Sequence, residues 1–118
     1  MPELKRGEIW LVNLDPTIGH EIKKSRPAVI IQNDLGNKYS PITIIAPVTS
    51  QNLEKIYPIE VLLAGGNSSL KKDSKVLLNQ IRAVDKRRII KKLGKVDKEI
   101  IDKIDNAIKI SLGLVEIG

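Results

Sequence analysis

The chain has 118 residues, enough for one domain with a modest core and too few for two, so a single domain spanning 1–118 is expected. It contains no Cys and one His, which excludes disulfides, thiol chemistry, zinc–thiolate sites and multi-His metal sites; no metal or cofactor is expected. Phe is absent, so the core must be aliphatic and modules that stack RNA bases on sheet aromatics are disfavoured, while a net charge of +6 points to an anionic partner or a lysine-rich solvated face.

After a polar lead over residues 1–6, Gly7 to Asn13 alternates as a strand, with Ile9 and Leu11 on one face and Trp10 and Val12 on the other. Asp15-Pro16-Thr17-Ile18-Gly19 is turn chemistry and opens a connection of about eleven residues, to Ser25, longer than an ordinary hairpin loop. The run Ala28 to Ile31 reads as a strand buried on both faces; Pro27 is expected at its first residue and Asn33 near its end. Asp34 to Pro41 reads as a polar connection, and Ile42 to Val48 as a third strand followed by Thr49-Ser50-Gln51-Asn52. Ile56 to Leu63 reads as a fourth strand, with Pro58 marking an edge or a bulge, and Ala64 to Ser69 as a flexible turn. Lys75 to Val84 reads as a fifth strand. Asp85 is placed to cap one helical turn through Arg88, and Ile89 to Val96 is ambiguous, a short sixth strand interrupted by Gly94. From Asp97, a plausible N-cap, Ile100, Ile101, Ile104, Ile108 and Leu112 recur at helical spacing.

Five or six short strands and one closing helix give a mainly β (β-rich α+β) domain, a strongly curved sheet or partly open barrel. Helical periodicity confined to the end of the chain excludes a βαβ alternation. No apolar run approaches membrane-spanning length and no signal peptide precedes the first strand, so no membrane partner and a cytoplasmic setting are expected.

Arg26 stands at the mouth of the second strand, where a guanidinium either pairs with a carboxylate or offers its planar fork to two phosphate oxygens. Thr49 and Ser50 sit at a strand end, where a hydroxyl either bonds nearby backbone or faces a ligand. His20, after Gly19, is either a turn residue or a group able to move a proton near neutral pH. Together they suit phosphodiester chemistry on RNA, whose 2′-hydroxyl supplies the nucleophile, leaving the protein to position, accept a proton and neutralise charge. Two basic groups accompany them: Lys23, Lys24 and Arg26, and a run from Arg82 to Lys95 that reads as a solvated face or as a nucleic-acid contact.

Several stretches carry a resemblance: Arg6-Gly7-Glu8-Ile9-Trp10-Leu11-Val12, Leu14-Asp15-Pro16-Thr17, Gly19-His20-Glu21, Arg26-Pro27 with its apolar strand, Pro47-Val48-Thr49-Ser50, and Asn79-Gln80-Ile81-Arg82 with Asp85. In this order they resemble the MazF/PemK (Kid) toxin endoribonucleases, and Ile31 to Pro41 looks like the Gram-positive-type members. The resemblance implies a small SH3-like barrel of the CcdB/MazF/PemK type with a C-terminal α-helix, a homodimer, and metal-independent cleavage of single-stranded RNA. It also implies a cognate antitoxin occupying the RNA site and, with it, DNA binding. The MazF-type catalytic pair maps onto Arg26 and Thr49, with His20 as a further candidate; Glu21, Lys23, Lys24, Ser50, Asn79 and Gln80 fall at substrate-binding positions. The PemK-type scheme, which joins that His to an Arg and an Asp on the fifth strand, meets Leu77 and Asn79 instead. The alternatives are a non-catalytic CcdB-like toxin that binds a protein target, and a nucleic-acid-binding regulator that uses the 82–95 run.

Overall fold

The alternation that opens the chain buries both faces of its first strand. In the computed structural model, which describes residues 3–66 and 70–117, β1 (Glu8–Asn13) sends Ile9 into one core and Trp10 and Val12 into another. Asn67, Ser68 and Ser69, the end of the turn expected over 64–69, lie outside the described residues, as do Met1, Pro2 and Gly118.

Among the described residues, seven strands join one antiparallel sheet. Its spatial order is β4 (Glu60–Leu63), β5 (Ser74–Leu77), β3 (Ile42–Thr49), β2 (Ser25–Ile30), β1, β7 (Ile89–Lys95), and β6 (Arg82–Asp85) also pairs with β3. The barrel is not closed: β4 and β7 are the free ends. β3 organises the sheet. One of its edges carries β2; the other carries β6 at Ile42–Ile45 and β5 at Val48–Thr49. The fifth strand expected over 75–84 is therefore two strands, β5 and β6, broken by a 3-10 turn at Leu78–Gln80.

Three other boundaries differ from the sequence reading. Pro27 lies inside β2, opposite Leu11 of β1; the β2–β3 ladder begins only at Ala28, so the missing N–H falls where no third strand needs it. The fourth strand starts at Glu60, leaving Ile56 and Pro58 in the preceding loop, and β4 is an edge strand. Residues 34–41 are not all loop. They contain helix α1 (Asp34–Tyr39), started by the Asn33 side chain, which accepts from the Gly36 N–H at 2.8 Å. Because β2 and β3 are antiparallel, α1 makes no parallel crossover. The turn after Asp85 and the strand after it both form: Lys86–Arg88 is a 3-10 turn capped by the Asp85 carboxylate, and β7 runs through Gly94.

Helix α2 (Lys98–Ser111) starts at Asp97, whose carboxylate accepts from the Ile100 N–H at 2.9 Å. Its apolar stripe closes the first core, where Ile104 and Ala107 meet Ile9, Val29, Ala46, Val48, Val61, Val76 and Leu78. Each fully buried Ile or Leu there contributes roughly 1.5–3 kcal/mol. The second core, on the other face of β1–β3, is Leu4, Trp10, Val12, Leu14, Ala28, Ile30, Ile45 and Val84. Gly7 (φ +91) lets α2 lie close to β1, since a Cβ there would meet Ile101 Cδ1 at 3.0 Å. Among the described residues, no helix is long and apolar enough to cross a membrane.

Candidate active site

The candidate site lies where β3 ends. Thr49, the last residue of β3, pairs with Lys75, so β5 and the residues before it are brought alongside. Arg26, the second residue of β2, is opposite Val12. A hollow of about 270 Å³ opens between these strand ends; Arg26, Thr49, Ser50, Lys71, Lys72 and Ser74 line it together with the apolar Pro27, Val48 and Leu70. Of the residues singled out from sequence, the structure thus brings together Arg26, Thr49 and Ser50. It adds Lys71 and Lys72, which sequence reasoning missed; the available signal was a Lys-Lys pair just ahead of a strand destined to pair with Thr49.

Arg26 is half-buried, and its Nε donates to the Lys23 carbonyl at 2.8 Å. That bond fixes the plane of the guanidinium from behind and leaves its two terminal nitrogens as donors. The nearby backbone explains the fix: Lys24 takes φ 69, its N–H reaches Asp15 Oδ1 at 3.0 Å, and its carbonyl accepts from the Leu14 N–H. Thr49 is buried at 8% exposure, and its Oγ1 accepts from the Gln51 N–H at 3.1 Å. The backbone bond and a ligand role coexist, because a hydroxyl that accepts from an amide still has its own proton to give.

The loop that follows Thr49 is held from beneath by a lysine inside the protein. Lys75 Nζ donates to the Asn52 carbonyl at 2.8 Å and to Glu60 Oε1 at 3.1 Å, and the same carboxylate oxygen accepts from the Tyr57 N–H at 2.9 Å. The two side chains are only 5% and 9% exposed.

His20 lies elsewhere. It lines a second hollow, of about 400 Å³, with Glu21, Ile22, Pro47, Asn79, Gln80, Ile81 and Arg82. Among the described residues none lines both hollows, although Pro47 pairs with Ala28, the neighbour of Pro27. Asn79 is exposed on the 3-10 turn. Gln80 has a structural task as well, since its side-chain oxygen accepts from the Ile22 N–H at 2.9 Å. Glu21 closes a turn by accepting from the Ile18 N–H at 2.6 Å. Lys23 and Lys24 are exposed on the β1–β2 loop outside both hollows, and Leu77 is buried.

The basic run from Arg82 to Lys95 is largely engaged within the fold. Arg82 donates to the Leu14 carbonyl at 3.1 Å, and Arg88 to the carbonyls of Asn13 and Asp15. Lys86 donates to the Asn37 carbonyl, Arg87 pairs with Asp85, and Lys92 pairs with Glu8 at 2.7 Å. The Arg87 side chain beside Asp85 holds that carboxyl below the usual range. Glu8 is a second perturbed carboxylate. Burial pushes its pKa up, but the Lys92 ammonium, the Trp10 indole N–H and the Lys5 N–H together hold it below the usual range.

Residues 5–112 match the family model described as PemK-like, MazF-like toxin of type II toxin-antitoxin system. The chain is 39% identical over 113 residues to the Bacillus subtilis protein named Endoribonuclease EndoA, covering 96% of this chain and 97% of that one. Among solved structures it is similar to MazF from Deinococcus radiodurans, with a TM-score of 0.82 at 25% identity over 96% of this chain and 99% of that one. A mycobacterial endoribonuclease solved with its cognate antitoxin has the same fold, with a TM-score of 0.78 at 21% identity over 97% of this chain and 99% of that one.

Proposed function

The chain belongs to the PemK-like, MazF-like toxins of type II toxin–antitoxin systems and is an endoribonuclease of that kind, and we propose that it cuts single-stranded RNA in the Arg26–Thr49 hollow. The observation that carries this reading is the convergence of Arg26, Thr49 and Ser50 on one hollow whose polar lining, among the described residues, is made of cations and hydroxyls.

The donor set fits attack by the RNA's own 2′-hydroxyl. The 2′-oxygen forms a bond to the adjacent phosphorus, the bond to the 5′-oxygen breaks, and the products are a 2′,3′-cyclic phosphate and a 5′-hydroxyl. Arg26 sets its terminal N–H groups on the non-bridging oxygens, where negative charge grows in the transition state. Thr49 Oγ1 donates to the same group, and Ser50 orients the strand. Among the described residues no imidazole or carboxylate lines this hollow, so the 2′-hydroxyl proton leaves to water, and water returns one to the 5′-oxygen. His20, Asn79 and Gln80, in the neighbouring hollow, meet the bases and shape specificity.

In the cell this toxin acts in the cytoplasm as a homodimer and is silenced by a cognate antitoxin whose acidic or apolar segment covers Arg26. The test is to incubate the purified protein with several unrelated long RNAs in excess EDTA and to identify the ends. Fragments with cyclic phosphate and 5′-hydroxyl ends are expected; intact RNA throughout overturns the reading.

A further inference from the structure

We propose that Lys71 and Lys72 form a subsite for RNA backbone phosphates next to the one that is cut. The inference rests on the endoribonuclease reading and extends it to residues outside the catalytic pair.

Three cations face the same 270 Å³ hollow: Arg26, Lys71 and Lys72. Among the described residues no acidic side chain lines it, and none lies within ion-pairing distance of either lysine. Like charges gathered around one concavity repel one another unless an anion enters it. A polyanion satisfies all three at once, the scissile phosphate at Arg26 and its neighbours at the lysines. The residue types match that division. The fork of Arg26 fixes two oxygens in one plane, while a lysine ammonium is a point charge that holds a phosphate without dictating its orientation.

The segment carrying the lysines is also held in place. The Gly65 N–H donates to Asp73 Oδ1 at 2.7 Å, the Gly66 N–H to the Leu70 carbonyl at 2.7 Å, and Ser74 Oγ to the Lys72 carbonyl at 3.1 Å. A Cβ on Gly65 would come within 2.9 Å of the Lys71 oxygen and 3.0 Å of the Lys72 carbonyl carbon, so the strand pair needs glycine to approach this closely. Charges on a fixed backbone beside a cleavage site act as a rail for the strand.

The test compares Lys71→Ala/Lys72→Ala with wild type and with Lys5→Ala/Lys38→Ala. The control removes two charges near α1, at the opposite end of β3 from Thr49. The probe is a short fluorescein-labelled 2′-O-methyl oligonucleotide of mixed sequence, which cannot be cut, titrated by anisotropy at several salt concentrations. Two lost contacts to single-stranded phosphates should lower the slope of log affinity against log salt by about 1.4 and weaken binding roughly tenfold near 0.15 M salt. On cleavable RNA the change should appear in KM far more than in kcat. Wild-type affinity and slope in the double variant, or the same loss in the control, overturns the subsite. A wild-type protein that binds the oligonucleotide through these lysines yet leaves every RNA intact overturns the endoribonuclease reading and supports the subsite.

Discussion

Replacing Lys75 with Met should damage this protein more than most single changes. The lysine and its partner Glu60 are almost completely enclosed, with side chains 5% and 9% exposed and a separation of 3.1 Å. Removing the ammonium strands a carboxylate in the interior, which typically costs about 3–5 kcal/mol. The expected loss is therefore roughly 3–5 kcal/mol, or about 10–25 °C in Tm for a chain of this size. Urea unfolding followed by the fluorescence of Trp10, the one tryptophan and a buried one, measures this directly. Glu60→Gln/Lys75→Met should recover a large share of the loss, since no charge is then left inside. A Lys75→Met protein within about 1 kcal/mol of wild type would refute the reasoning.

Arg26→Lys should lower turnover on the order of 10²–10³ with little change in Tm, and near wild-type turnover would overturn the catalytic assignment. Thr49→Val removes both the proton donor and the acceptor for the Gln51 N–H, so cleavage should fall at least tenfold with about 1 kcal/mol of stability, read by single-turnover kinetics and thermal unfolding. His20→Gln should keep cleavage within a few-fold and the same pH–rate profile, because His20 lines the neighbouring hollow; loss of a neutral-pH limb would make it the proton acceptor. The depressed pKa of Glu8 contributes stability that is present above the ordinary carboxylate range and is lost as pH falls through its folded value; Glu8→Gln should flatten that acid limb and lose about 1.5–3 kcal/mol at pH 7. Sedimentation at micromolar concentration should show a homodimer.

What was legible in the sequence was what is local or strongly periodic. Helix α2 and its Asp97 cap showed because five apolar residues recur at helical spacing, and Asp85 showed as a cap because its turn is short and self-contained. Arg26 and Thr49 stood out as strand-end residues, and the β2–β3–β5 pairing does bring them to one hollow. Helix α1 was hidden because six residues are too few for periodicity and its cap, Asn33, sat inside a run that reads as strand. The break at Leu78–Gln80 was hidden because apolar residues stand on both sides of it, Val76 and Leu77 before and Ile81 after, and only the separate pairing of β5 and β6 with β3 requires it. Lys75 and Glu60 are fifteen positions apart, and nothing in either neighbourhood shows that they meet. The partners of Arg82, Arg88 and Lys92 were hidden for the same reason: they are the carbonyls of Leu14 and Asn13 and the carboxylate of Glu8, far along the chain.

The ties on the β1–β2 loop bear on any attempt to re-engineer this molecule. The loop is fastened from outside itself: Arg82 holds the Leu14 carbonyl, Arg88 the carbonyls of Asn13 and Asp15, and Gln80 the Ile22 N–H. It is therefore not a cassette. A loop transplanted from another toxin to change the RNA sequence that is cut would arrive without the three side chains, all in the segment from Gln80 to Arg88, that give it a shape. Grafts should work in pairs, loop with segment, and fail one at a time; in a library, productive variation in residues 14–24 should be found coupled to positions 80, 82 and 88.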